Sequence, residues 1–409
     1  MSEVVAGGSR RWLVLFIGLI ALTAGCTFQY GIAYLIPALR HEGFSLELAG
    51  ILVACPTAGL LLTLIGWGAA ADRWGERIVL SAGLGLSGLI LLVTRDVRGV
   101  AGLGVGLALA GAAGGSVFAA SGRLILGWFA RRERGLAMGI RQSAQPLGVA
   151  IAAVTLPTLG AGGRAAPLLF LAVFCLVSAA AVLVFVRDPA RPAAPAAAAA
   201  RPGSPYRQPV LWRIHLASAL LVVSQFTVST FALVFLVQAR GWSAPDAGRV
   251  LAVGQALGAG ARLGAGYWSD RSGSRMRPMR ILAVSTGVAM LALAGAAAAH
   301  SPVAVAVLLA CGLVAVSTNG LAFTAVAEYA GSAWAGRALG IQNTGQNALA
   351  AATPPVLALA IGAIGFSASF GLVAVFPLAA AAVVPVALER SAGAAAADAA
   401  TASARTPGG

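Results

Sequence analysis

Few residues in this chain could do chemistry in an apolar setting, and most of those are cationic. Arg123, Arg141 and Arg262 interrupt long apolar runs, and one carboxylate, Glu328, accompanies them. An ionised side chain surrounded by hydrocarbon is costly, so such residues face a cavity, a partner or an interface. A guanidinium presents a planar fork of donors that grips a carboxylate or similar anion in bidentate fashion. A buried glutamate either pairs with an arginine or carries a proton. Uncharged hydrogen-bonding side chains lie in the same kind of run: Gln29, Tyr30 and Tyr34, then Gln225, Asn319, Asn343, Gln346 and Asn347. Tyr30 and Tyr34 are four residues apart, as are Asn343 and Asn347, so each pair shares a helix face. Each of these residues serves equally well in an interhelical hydrogen bond, worth about 0.6 to 2 kcal/mol.

Enzymatic chemistry finds little support. His41, His215 and His300 fall near the ends of predicted spans, and no nucleophile, base and orienting acid are grouped at a recognisable spacing. The chain has no Lys at all and no GxxxxGK[ST] loop, so it is not expected to hydrolyse ATP. Cys26, Cys55, Cys175 and Cys311 stand singly in apolar runs and suggest neither a disulfide framework nor a metal site. The reading is of a protein that is not an enzyme and uses no cofactor.

The elements that must position these side chains follow from composition. Of the 409 residues, 59% are hydrophobic and only 10% charged, and the mean hydropathy is +0.88. A soluble domain does not have this composition. Apolar runs long enough to cross a hydrocarbon layer of about 30 Å recur along nearly the whole chain. Twelve helical spans are expected, starting near residues 12, 47, 78, 100, 134, 165, 210, 245, 279, 302, 336 and 366. The fold class is therefore an all-α polytopic membrane protein. The first span follows Arg10 and Arg11 with no small-residue cleavage site behind it, so it reads as a retained helix rather than a signal peptide.

All 28 basic residues are arginine, and they are concentrated in alternate loops. With the N-terminus cytoplasmic, the inner loops hold Arg73, Arg77, Arg131, Arg132, Arg134, Arg271, Arg275 and several more; the outer loops hold far fewer. The positive-inside bias then places both termini in the cytoplasm of a cell inner (plasma) membrane protein. The net charge of +15 is accounted for by loops facing anionic headgroups and needs no nucleic acid. The Pro- and Ala-rich stretch at 187–209 reads as a linker between a six-helix bundle at 1–186 and another at 210–390, with a disordered tail at 391–409.

One pattern occurs twice. Gly-x-x-x-Asp-Arg-x-Gly-x-Arg runs from Gly68 through Asp72 and Arg73 to Arg77, and again, 198 residues later, from Gly266 through Asp270 and Arg271 to Arg275. "GFS" at 43–45 and "GWS" at 241–243 share that offset, and "AMGIRQSAQ" at 137–145 matches "ALGIQNTGQ" at 338–346 at an offset of 201. The chain is a duplicated six-helix unit. Parallel repeats of this kind build secondary transporters, with the substrate site near the midplane between them.

These residues resemble the major facilitator superfamily of secondary transporters, over essentially the whole chain. The doubled loop after the second and eighth spans is the most specific part of the resemblance. It implies a gate that helps to hold the outward-facing state. Gly68 and Gly266 would permit close helix approach, and Asp72 and Asp270 would face the positive N-terminal ends of the eleventh and fifth spans. Arg73, Arg77, Arg271 and Arg275 would lie at headgroup level, as gating or as topogenic residues.

Where the repeats differ, the difference points to the substrate. Arg262 aligns with Leu64, and Arg141 with Gln342, so both cations break the internal symmetry. The fifth and eighth spans border the cavity in the family, so the two guanidiniums would converge on one anion from opposite halves. Arg262 opens an RxxxGxxxD run similar to that of oxalate/formate and monocarboxylate carriers; "GIRQSAQPLG" around Arg141 is similar to cyanate permease-like members. The alternatives are structural pairing for Arg262 and snorkelling for Arg141, while Arg123 is expected to be structural, with Asp72 as partner. Glu328 is the candidate for proton coupling or for pairing with an arginine.

The function expected is alternating-access transport of a small organic anion such as a carboxylate, by proton symport or exchange, by a monomer in the lipid bilayer. A proton-coupled drug or metabolite exporter is the alternative. It is disfavoured because Pro146 is not preceded by Gly, and because the first and fourth spans have no acidic residue in their interiors. A non-transporting membrane sensor is a further alternative, and the short tails offer it little signalling surface.

Overall fold

The computed structural model describes residues 8–129, 137, 140–188, 204–330 and 334–389. Hydrocarbon offers the backbone no hydrogen-bond partners, so an apolar chain satisfies its own N–H and C=O groups by forming helices. The described residues contain helices and no strand. In chain order the long elements are α1 (Gly8–Gly31), α2 (Leu46–Trp74), α3 (Glu76–Thr94), α4 (Val100–Trp128), α5 (Ala144–Leu159) and α6 (Ala165–Phe185). They continue as α7 (Pro209–Val234), α8 (Ala244–Ser272), α9 (Met276–Ala298), α10 (Val303–Ala330), α11 (Ala335–Val373) and α12 (Val375–Val383). Their starts fall within a few residues of those expected from the sequence, except that the expected start near 134 lies outside the described residues and that α12 begins at Val375 where a start near 366 is expected.

Among the described residues, ten helical stretches are long and apolar enough to cross a membrane. Two features reconcile this with twelve. The first is α8, which falls below the apolar threshold because Gln255, Arg262 and a run of glycines lie along it. The second is the stretch Ala338–Glu389, whose 52 residues far exceed the roughly 20 that one span needs. It breaks at Gly365, where φ is +76° and ψ is 173°, so the chain from 366 through α12 is consistent with a separate twelfth span.

Local chemistry sets the helix ends. Ser45 caps α2 by accepting from the Leu48 N–H at 3.2 Å. α1 gives way to a 3₁₀ turn at Ile32–Leu35 ahead of Pro37, and then to a short helix, Ile36–His41. A π-turn at Phe235–Ala239 closes α7. Of the expected linker at 187–209, residues 189–203 lie outside the described residues, as does the expected tail at 391–409.

The helices pack into two compact units. One comprises residues 1–197 with 226–259 and 350–366; the other comprises 198–225, 260–349 and 367–409. The units therefore cut across the repeat, because segments of α7, α8 and α11 pack with the first repeat in this conformation. Within the first unit, a side-chain carbon added at Gly50 would collide with Pro354 and Ala358 of α11, and one added at Gly248 would collide with Ala153 of α5. The crossing of α2 and α4 is equally tight, since Gly59 lies against the Ala108 carbonyl and Gly111 against Pro56. Lipid is as apolar as leucine, so contact of this kind, rather than escape from water, holds helices together in a bilayer. The second unit has its own core, in which Ile214 of α7, Met276 and Met279 of α9, Ala325 of α10 and Ala380 of α12 are fully buried.

Candidate functional site

Both copies of the doubled loop turn at their second glycine, although α3 restarts directly after Gly75 and α9 only at Met276. Gly75 and Gly273, the second glycine of each copy, have φ of +89° and +60°. This left-handed region penalises any residue with a Cβ, so the turn from α2 to α3, and from α8 to α9, requires glycine there. The first glycines behave differently: among the described residues, a side-chain carbon added at Gly68 or Gly266 would meet nothing within 4 Å.

Each loop is also closed by an acid from the far end of its own repeat, which the sequence reading missed. In the first copy, Asp188 Oδ1, just beyond α6, accepts from the Arg77 N–H at 2.7 Å. The Arg77 guanidinium then reaches the Leu183 carbonyl at 2.9 Å. In the second copy, Glu389, near the end of the described chain, accepts from the Arg275 N–H at 2.7 Å and the Met276 N–H at 3.3 Å, and also from the Ser274 hydroxyl. A carboxylate at a helix N-terminus satisfies donors that have no intrahelical partner and faces the positive end of the dipole. The offset from Asp188 to Glu389 is 201, the same as in the second internal match, so a signal was present in the sequence.

The remaining gate residues are placed as follows. Arg275 is a hub: its guanidinium pairs with Asp270 and, at 3.0 Å, with Glu328 on α10. The Glu328 hydrogen bond is the main reason that the Arg275 guanidinium is held above its ordinary range. Asp270 is thus engaged by an arginine of its own loop. Arg271 donates to the Tyr267 hydroxyl at 3.1 Å, and exposed Arg73 lies over the Trp74 ring at 5.9 Å. The side chains of Asp72 and Arg123 lie outside the described residues. Glu328, half exposed, takes the paired role rather than standing alone as a buried acid.

In the first unit, Arg141 is held by neutral groups. Its Nε and Nη2 donate to the Ser121 hydroxyl at 3.1 and 2.9 Å, and its Nη1 donates to Gln142 at 3.2 Å. No described carboxylate lies within 4 Å of it. Gln29 is buried and donates to Thr57 at 2.9 Å, leaving its Oε1 without a partner among the described residues. Tyr30 and Tyr34 take different surroundings, because the 3₁₀ turn between them rotates the helix face. Tyr30 sits edge-on between Phe118 and Phe226, with centroids 6.2 and 5.9 Å away, whereas Tyr34 is fully buried and bonds to Gln255 of α8.

In the second unit, Arg262 donates from Nε to the Val316 carbonyl of α10 at 3.2 Å. Three of the expected polar residues meet. Asn319 donates to Gln225 Oε1 at 2.8 Å, and Gln346 reaches Asn319 Oδ1 at 3.5 Å and the Ser218 hydroxyl at 2.5 Å. Asn343 and Asn347 do share a face, with Asn347 donating to Asn343 Oδ1 at 3.1 Å. Arg141 and Arg262 belong to different compact units. Within the second unit, the Gln225, Asn319 and Gln346 amides form one hydrogen-bonded cluster.

Comparison with known proteins is consistent with this geometry. A model of the Major Facilitator Superfamily matches residues 15–354. Over 390 residues, the chain is 42% identical to an uncharacterized MFS-type transporter of Mycobacterium tuberculosis strain H37Rv, covering 95% of this chain and 88% of that one. The counterpart in strain CDC 1551 gives the same figures. Among solved structures, a bacterial homolog of the human lysosomal transporter Spinster, inward-facing and unoccupied, superposes with a TM-score of 0.77 at 14% identity, over 92% of this chain and 96% of that one. Its occupied form gives 0.76 at 14% identity, over 91% and 96%.

Proposed function

Because the chain belongs to the Major Facilitator Superfamily of secondary transporters, we propose that its cargo is a small organic anion such as a carboxylate, moved by proton coupling or exchange. The observation that carries this reading is Arg141, a guanidinium in an apolar span that is met, among the described residues, by the neutral acceptors of Ser121 and Gln142. A cation in hydrocarbon without a carboxylate partner favours an anionic ligand. In the second unit, Arg262 places another cation within a span, and the Gln225, Asn319 and Gln346 amides add polar groups there. The loop arginines support an orientation with both termini cytoplasmic in the plasma membrane. An N-terminal tag open to protease added outside intact cells would contradict it. The doubled loop is read as the gate of the alternating cycle, the role that the resemblance implies for Asp72 and Asp270.

The test is a thermal-shift series on the purified full chain with oxalate, pyruvate, cyanate and a lipophilic phosphonium cation. A ligand present at about 100 times its Kd stabilises by about 2.7 kcal/mol. Stabilisation by a carboxylate that is lost in Arg141→Gln supports the reading. Stabilisation by the lipophilic cation alone sinks it in favour of drug export.

A further inference from the structure

A continuous hydrogen-bonded chain in the second unit joins the start of α7 to its middle, and it begins at an imidazole. His215 Nδ1 lies 2.5 Å from Gln342 Oε1 of α11, and its Nε2 lies 2.9 Å from the Tyr206 hydroxyl. Gln342 donates its Nε2 to the Ser218 hydroxyl at 2.6 Å. Ser218 also receives Gln346, which continues to Asn319 and so to Gln225. From His215 to Gln225 this covers ten residues of α7, or about 15 Å along the axis.

The bonding pattern leaves the imidazole free to change charge without breaking any of it. Because Gln342 spends its amide donor on Ser218, its Oε1 must accept, so the neutral ring carries its proton on Nδ1 and accepts the Tyr206 proton at Nε2. When the ring takes up a second proton, at Nε2, it donates to Tyr206 Oη, and the phenol rotates from donor to acceptor. Burial holds that phenol above its ordinary range, so it stays neutral throughout. The Tyr206 ring stacks on the imidazole with centroids 5.8 Å apart and planes 17° apart, and Trp212 presents a ring at 6.4 Å. Arg213, on the same helix, is turned to the Val383 carbonyl at 2.9 Å. Gln342 is the group that α11 presents, and no described carboxylate lies within 4 Å of the ring to fix its charge. By contrast Glu328, the sequence candidate for proton coupling, is committed to Arg275.

We propose that His215 binds the proton that travels with the cargo, its charge being sensed midway along α7 through the Gln342, Ser218, Gln346 and Asn319 relay. The amides of this relay do not themselves conduct the proton. They pass on orientation, while the added positive charge favours an anion at Gln225 and Asn319. This assignment rests on the anion-transport reading above and names the coupling group that reading lacks.

The test has two arms on the full chain. The first uses protein labelled with ¹³C at histidine Cε1, which gives only three ring signals, from His41, His215 and His300, with His215→Gln identifying its own. The His215 signal is expected to change as the ring takes up a proton on acidification, and that response to differ in Tyr206→Phe and in Gln346→Leu. A ring that keeps one charge state on acidification overturns the proposal, and so does a response indifferent to Gln346→Leu. The second arm uses proteoliposomes with an entrapped pH dye and, in turn, labelled oxalate, pyruvate and benzoate. In His215→Gln, the ratio of proton-gradient-driven accumulation to exchange of labelled for unlabelled probe is expected to fall at least about tenfold, and probe entry to cease acidifying the lumen. Tyr206→Phe should keep coupling but shift its pH dependence, which separates the titrating role from a folding defect. A wild-type ratio in His215→Gln refutes the coupling role while leaving anion transport intact. If no carboxylate enters with the wild-type protein, the cargo assignment fails instead, and the titration arm alone decides whether His215 is a proton site.

Discussion

Removing the carboxylate of Glu389 should loosen the first turn of α9 and little else. Glu389 accepts from the backbone N–H groups of Arg275 and Met276 and from the Ser274 hydroxyl, so Glu389→Ala takes the partners from two helix-terminal amides at once. Loss of an N-cap costs about 0.5 to 2 kcal/mol, and loss of a negative charge at the dipole's positive end about 0.3 to 1 kcal/mol more. Water can reach this partly buried site and recover some of that, so a net cost of about 1 to 2 kcal/mol is expected. Asp188 in the first repeat caps a single amide, that of Arg77, so Asp188→Ala should cost about half as much. The assay is amide hydrogen exchange on the purified protein, which reads local opening directly. At about 1.36 kcal/mol per decade, peptides spanning the first turn of α9 should exchange about 5 to 30 times faster in Glu389→Ala. Peptides from α3 should be unaffected, and the pattern should reverse in Asp188→Ala. An unchanged rate at the start of α9, or a rise spread evenly over the molecule, would refute the capping argument.

Four further outcomes follow from the same geometry. Gly75→Ala and Gly273→Ala should each lower apparent thermal stability by about 1 to 2 kcal/mol through backbone strain, Gly75→Ala more so because its new methyl group meets the Asp188 carboxylate. Equal or negligible effects in melting curves would contradict this. Arg141→Gln should weaken carboxylate binding by about 2 to 5 kcal/mol, and Arg141→Lys should restore only part of it because the fork is lost; Arg262→Gln should act in the same direction. Unchanged affinity in both Gln variants would remove the anion site. Asp72→Asn and Asp270→Asn should reduce transport more than membrane insertion, and normal transport in the singles and in the double variant would defeat the gate assignment. Glu328→Gln should leave proton coupling in place and cost at most about 1 kcal/mol of stability, since its partner Arg275 keeps Asp270; loss of gradient-driven accumulation with exchange retained would return the proton to Glu328.

Much of the architecture was legible because a bilayer imposes a length and a composition on every span. Almost all the helix starts could be read from apolar runs. The span near 245 was expected from its apolar run, although the glycines and Arg262 of α8 depress its hydropathy below that of the other long helices. The break at Gly365 was not announced by the residue itself, since 52 glycines are scattered through the chain and only a few adopt positive φ. Gly75 and Gly273 could be read as a pattern, although their reason is backbone geometry rather than close packing. Among polar residues, the spacing of Asn343 and Asn347 translated into contact, whereas the same spacing at Tyr30 and Tyr34 did not, because a 3₁₀ turn intervenes. His215 was passed over as a residue near a span end. Its meaning comes from Gln342, 127 positions away, and no local signal connects the two.

The two acids that close the doubled loop also say something about how the chain is made. Arg77 waits 111 residues for Asp188, and Arg275 waits 114 for Glu389, so neither turn is sealed until the last span of its own repeat has been synthesised. Translation proceeds from the N-terminus, and units of a long chain tend to fold in the order in which they emerge. The first repeat therefore carries its own closing residue before the second begins. The second depends on the final carboxylate of the described chain. A nascent protein released before residue 389 would retain its apolar spans and lack this seal, giving membrane quality control a local defect to recognise at the start of α9.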